Sequence, residues 1–177
     1  MTVVSSQIVA APSDLIRTVA AAIGDSGTKD AARAAVARYR EDGWNGLAAA
    51  LDARLDRGEP GSEALDEEDR AILAAVERTA EDPAWLDGIE AEAEREAAEP
   101  IAALILAATW GEREALAALD EMRDTAEQAG LSQSAAHAFV AIVEGERDLE
   151  TLVASFPHCP RGLATATLEA ISRQETA

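Results

Sequence analysis

Glycine interrupts Ala- and Leu-rich runs at residues 24, 43 and 58, and again at 111, 130 and 145, so that the second set repeats the first at an offset of 87. Glycine enters the left-handed backbone region without a Cβ clash, which makes it the favoured residue just past a helix C-terminus. The runs between these stops consist mainly of Ala, Leu, Glu and Arg, residues that lose little on entering a helix. Such punctuation limits the chain to short helices joined by tight turns. The fold class is all-α, a helical bundle or short α-solenoid, with two related four-helix units as the expected plan.

The first helix is placed on "DLIRTVAAAI" with Ser13 as its N-cap, and the second on "KDAARAAVARYRED" with Thr28 as its cap. A third spans 44–57 and carries Leu47, Leu51 and Leu55 at i, i+4 and i+8, one buried stripe. "GEPGSEA" is then a connection, and Asp66 with Asp69 resembles a capping box that opens "EEDRAILAAVERTA", where Ile72, Leu73 and Val76 face inward. Asp82-Pro83 opens a fifth helix. Residues 89–99, polar on nearly every face, suit a solvated spacer that Pro100 ends or kinks. The pattern then restarts. An apolar helix at 101–110 is followed by "EREALAALDEMRDTAEQA", by a Ser132-capped helix running to Gly145, and by "RGLATATLEAISR".

At the offset of 87, nine of 45 positions across residues 15–59 are identical, and beyond that the offset becomes 91. Gly-Glu at 58–59 and at 145–146 marks the turn between the third and fourth helices of each unit. The expected organisation is an N-terminal tail at 1–12, a first helical unit at 13–81, a linking helix at 82–99 and a second unit at 100–175, packed together.

Composition narrows the function. Apolar residues reach 48% but aromatics only 3%, so the core must be built from Ala, Leu, Ile and Val. The formal charge is −19, with 9 basic and 17 acidic side chains in residues 1–87 and 6 and 17 in residues 88–177. A field of that sign repels nucleic-acid phosphate and anionic membrane surfaces and favours partners with a basic surface. Neither direct nucleic-acid binding nor membrane association is expected. Cys159 is the only cysteine, which rules out an intramolecular disulfide and points to a reducing, cytoplasmic setting. The N-terminus lacks the basic segment of a signal peptide. The most apolar stretch, "IAALILAA" at 101–108, falls far short of the ~20 residues that cross a bilayer.

"WNGLAAAL", residues 44–51, resembles the W-x2-L-G-x2-Y opening of a tetratricopeptide repeat, with Ala48 in place of Gly and Leu51 in place of Tyr. The 34-residue period of that family is missing, as are its later Ala, Phe and Pro positions. More broadly, "GLAAALDARLDRGEPGSEALDEEDRAIL" is similar to helical repeats of bacterial multidomain signalling and defence proteins. Both resemblances imply a protein-interaction role and no catalytic residues.

The remaining chemistry is sparse. His158 beside Cys159 in "FPHCPRG" pairs an imidazole with a thiol, the composition of an activated thiolate, although adjacent residues in a Pro-bounded turn need not face each other. With two His and one Cys the chain is short of zinc ligands, and His137 has Ser134 rather than Glu at i−3, so no di-iron motif forms. Glu90, Glu92, Glu94 and Glu96 alternate by two and do not line one helical face. Asp66, Glu67, Glu68 and Asp69 lack the spacing and turn glycine of a calcium loop. No phosphate-binding loop or nucleophile elbow is present. No catalytic, cofactor-binding or metal-binding residue is assigned, and no cofactor is expected. Trp44, Trp85 and Trp110 lie near helix ends and are the candidate anchors for a protein partner. The expected function is a non-catalytic interaction module acting as adaptor, scaffold or regulatory subunit. The alternatives are an acidic inhibitor or nucleic-acid mimic, and a small thiol enzyme using Cys159 and His158.

Overall fold

A computed structural model of the chain describes residues 6–58 and 65–176, and these hold ten α-helices, one short 3-10 turn and no strand. The helices are α1 (Ser6–Ala10), α2 (Ser13–Gly24), α3 (Lys29–Glu41), α4 (Asn45–Arg57), α5 (Glu67–Glu81), α6 (Pro83–Thr109), α7 (Arg113–Gln128), α8 (Ala135–Val143), α9 (Leu149–Ser155) and α10 (Arg161–Glu175). Most of the expected "GEPGSEA" connection, including Glu59, Pro60 and Gly61, lies outside the described residues. The chain divides into two compact units, residues 1–93 and 94–177, with the division inside α6.

In the first unit α2 packs against α3, α4 and α5. The predicted stripe of Leu47, Leu51 and Leu55 is buried together with Ile16, Val19, Val36, Ile72, Val76 and Leu86. Ion pairs tie the helices together at the rim. Arg54 makes a forked contact with Glu77, Nη2 to Oε2 at 2.9 Å, joining α4 to α5, and Arg33 meets Asp56 at 2.7 Å across α3 and α4. Part of the expected tail is helical: in α1, Val9 is buried in this core.

The second unit has a core of its own, formed by Ala102, Ile105 and Leu106 of α6 with Leu119, Phe139, Ile142, Leu152 and Ile171. Arg161 pairs with Glu150 to join α10 to α9, and Arg173 and Gln174 of α10 bind Glu99 of α6. Asp148 caps α9, accepting from the Thr151 backbone N–H and hydroxyl at 2.8 Å each.

Four of the six glycine stops share one bonding pattern, while Gly24 is the last residue of α2 and Gly58, at positive φ, donates to the Arg54 carbonyl four residues back. At Gly43, φ is +97°, its N–H donates to the Arg40 carbonyl at 3.1 Å, and the next N–H, of Trp44, donates to Tyr39 at 2.9 Å. This pair of bonds is a Schellman cap, which satisfies carbonyls that a helix end otherwise leaves bare. The same two spans recur at Gly111, Gly130 and Gly145, each at positive φ.

Four local expectations need correction. Ser13 is the first residue of α2 rather than its cap, a place held by Pro12 with no side-chain bond. Thr28 stands at the cap of α3, but its hydroxyl donates to the Asp25 carbonyl at 2.9 Å instead of accepting. Ser134, not Ser132, precedes α8, because Gln133 between them takes a left-handed backbone conformation (φ +58°) from which a helix cannot run. Pro100 does not end the helix: α6 runs through it. Ala98, Ala102 and Ile105, at i, i+4 and i+7, are all buried. A proline inside a helix costs about 3 kcal/mol, and the burial of this stripe with Leu106 offsets it.

Thr79, 4% exposed on α5, is the single described residue with a fully buried side-chain polar atom lacking a partner, its Oγ1. Desolvating a hydroxyl without a hydrogen bond costs about 1–3 kcal/mol, so Thr79→Val, which keeps the shape, is expected to stabilise the protein by ~1 kcal/mol in urea denaturation.

Candidate interaction site

The three tryptophans follow three helix ends but do not form one site. Trp44 leaves the Schellman cap of α3 and folds back onto Tyr39, with ring centroids 6.3 Å apart and planes inclined at 66°. Trp85 sits in the first turn of α6, where Asp82 accepts from the Ala84 N–H at 3.2 Å. Both are partly buried against the core of the first unit. Each is half-buried at a helix junction, so less of its indole is open to solvent than that of Trp110.

Trp110 is different. It lies between the last turn of α6 and Gly111, where its backbone N–H still donates to the Leu106 carbonyl at 3.0 Å. Its side chain projects outward and the residue is 75% exposed. The other large apolar residues exposed among those described are Leu116, Met122 and Leu131, all within the same stretch of the second unit. Helix α7 buries only Ala115 and Leu119, so Leu116, one position off that stripe, turns to solvent. Residues 110–131 carry six acidic and two basic side chains, and one of the two basic ones, Arg123, is paired with Asp120 at 3.0 Å. Within residues 110–131 the exposed apolar side chains are thus interspersed with acidic ones.

Sequence reasoning pointed to Trp110 but treated all three indoles alike, and it missed Leu116, Met122 and Leu131. Leu116 was detectable in principle, since a Leu adjacent to an Ala-Leu stripe cannot share its face.

Compared with known protein families, with curated proteins and with solved structures, the chain matches none. Function must be argued from the surface itself.

The other candidate groups are bound up in structure. Cys159 is buried, its Sγ lies 3.8 Å from the Pro160 carbonyl, and burial pushes the thiol above its ordinary range, away from the thiolate. His158 directs Nδ1 to the Ser132 carbonyl at 2.7 Å, and its backbone N–H donates to Gln133. Among the described residues no hydrogen bond joins imidazole to thiol. A disulfide-type thiol reagent at neutral pH is therefore expected to react with Cys159 at least ~100-fold more slowly in the folded protein than in urea, because only opened molecules present a thiolate. His137 lies between Ser134 Oγ at 3.1 Å and Glu127 Oε1 at 3.3 Å. No group of three or more potential metal ligands converges among the described residues, and none of their helices is long and apolar enough to cross a membrane.

Proposed function

We propose that this protein is a non-catalytic protein-interaction module, a bacterial-type cytoplasmic adaptor, scaffold or regulatory subunit, that holds its partner through the surface around Trp110. The observation that carries the reading is the 75% exposure of Trp110, the most exposed large apolar side chain among the described residues. A water-exposed indole that is not used for packing is the commonest kind of interface anchor. The interspersed acidic side chains select a partner whose apolar pocket is rimmed by Lys or Arg, and they speed encounter more than they tighten the complex.

Affinity capture with the full chain identifies the partner, and a salt titration with the purified pair then tests the mode of binding. Indole packing predicts an affinity that changes less than about tenfold between 50 and 500 mM salt, since surface charges are largely screened over that range. A steep loss identifies an acidic mimic instead and overturns the reading.

The same proposal takes the two units as products of a duplication. Leu15, Val19, Ala32, Leu51 and Leu55 are buried, and so are Ala102, Leu106, Leu119, Ala138 and Ile142, their counterparts 87 residues on. Superposing residues 13–57 on 100–144 in an experimental structure is expected to show one helix order and one handedness. A different order would reduce the similarity to composition.

A further inference from the structure

A second site lies in the first unit, where the turn between α3 and α4 faces the N-terminal turn of α5. A cleft of about 490 Å³ is lined there by Asp42, Trp44, Gly46, Asp66, Glu68 and Asp69. Asp66 is committed to its own helix, with Oδ1 accepting the Asp69 N–H at 2.8 Å. Asp69 is not committed. It is only 8% exposed, and its carboxylate takes no hydrogen bond or ion pair among the described residues. None of the four carboxylates is paired with a described Lys or Arg.

The helix dipole explains acidic residues in the first turn of α5, but it does not explain why one of them is buried without a counter-charge. A buried carboxylate is retained at a cost unless something neutralises it. Gly46 makes room for it: a Cβ there would stand 3.1 Å from Asp69 Oδ2. The carboxylates do not converge as a metal site does. The cleft has the volume for a planar cation, and the half-buried Trp44 is among its lining residues, an aromatic group against which such a cation can stack.

We propose that this cleft binds a guanidinium cation, with Asp69 as the buried counter-charge and Trp44 as the stacking wall. Guanidinium fits better than ammonium because it is planar, weakly hydrated and able to engage two carboxylates at once. The site is separate from the Trp110 surface and stands or falls without it. Its ligand is either an arginine side chain on a protein or a free guanidino compound.

Calorimetry on the full chain with butylguanidinium, butylammonium, calcium ion and an acetylated, amidated Gly-Arg-Gly peptide tests the proposal. Saturable binding of butylguanidinium, tighter than butylammonium and calcium, is the expected result. A peptide that binds at least as tightly assigns the source to a protein arginine, and one that is excluded assigns it to a free compound; both support the site. In Asp69→Asn the guanidinium affinity is expected to fall about tenfold or more, the loss of one charge-assisted contact. Burial, reinforced by Asp66 and Glu68, raises the carboxyl of Asp69 above its ordinary range. Its stabilising contribution is thus present at low pH and lost as pH rises through the folded-state value, so Asp69→Asn is expected to melt no lower than the native protein at neutral pH. Gly46→Ala provides a second variant, expected to weaken binding by crowding Asp69 while leaving α4 intact. No saturation by butylguanidinium, tighter binding of calcium, or unchanged binding in a folded Asp69→Asn would each overturn the proposal.

Discussion

Phe139→Ala is expected to destabilise the second unit by about 3–5 kcal/mol, the cost of removing a buried ring from a core that cannot close over the gap. Phe139 is 2% exposed and is the only aromatic residue among the buried core side chains of the described residues. Much of its surroundings is alanine, with Ala102, Ala108, Ala115, Ala138 and Ala164 in the same core. Alanine has no rotamer with which to refill a cavity, so the transfer loss and the cavity cost add. Total stabilities are about 5–15 kcal/mol, and urea denaturation should register the loss as a large fall in midpoint. A change below about 1 kcal/mol would mean that this core is not the one described here.

Trp110→Ala is expected to cost at least ~2 kcal/mol of partner affinity, about a thirtyfold rise in Kd, without lowering thermal stability. The two halves of that expectation rest on one fact. A residue 75% exposed contributes little to the fold, and the proposed partner contact is what its replacement would remove. Trp44 and Trp85 supply the contrast, because both pack on the first core and their replacement is expected to lower stability. Unchanged affinity in Trp110→Ala would remove the anchor and leave the acidic side chains as the main determinant.

Much of the fold was legible because its signals are local. The stripe of Leu47, Leu51 and Leu55 and the stops at Gly43, Gly111, Gly130 and Gly145 depend on helical period and on the left-handed cap, which need no tertiary knowledge. Asp66 capping Asp69 belongs to the same class. What was misread depended on tertiary context. Pro100 ends or kinks a helix by local rules, and of the two an end is excluded: Ala98, Ala102 and Ile105 are buried on both sides of it and the helix continues. The Thr28 cap failed because its hydroxyl found another partner, and the Ser132 cap because the left-handed turn at Gln133 delays the start of α8. Among candidate partner-binding residues, sequence named the three indoles but could not rank them by exposure, since exposure is a property of the packed unit. Asp69 looked like one more helix-capping acid until Gly46 was seen to admit its carboxylate.

The central claim, that a partner covers the surface around Trp110, is tested most directly by collisional quenching of tryptophan fluorescence in the free protein and in the complex. Acrylamide should reach Trp110 in the free chain far more readily than Trp44 or Trp85, so a Trp110→Phe variant identifies its share of the quenching. On saturation with the partner, that share is predicted to disappear. Quenching of Trp110 that is the same in the complex as in the free protein would contradict the account.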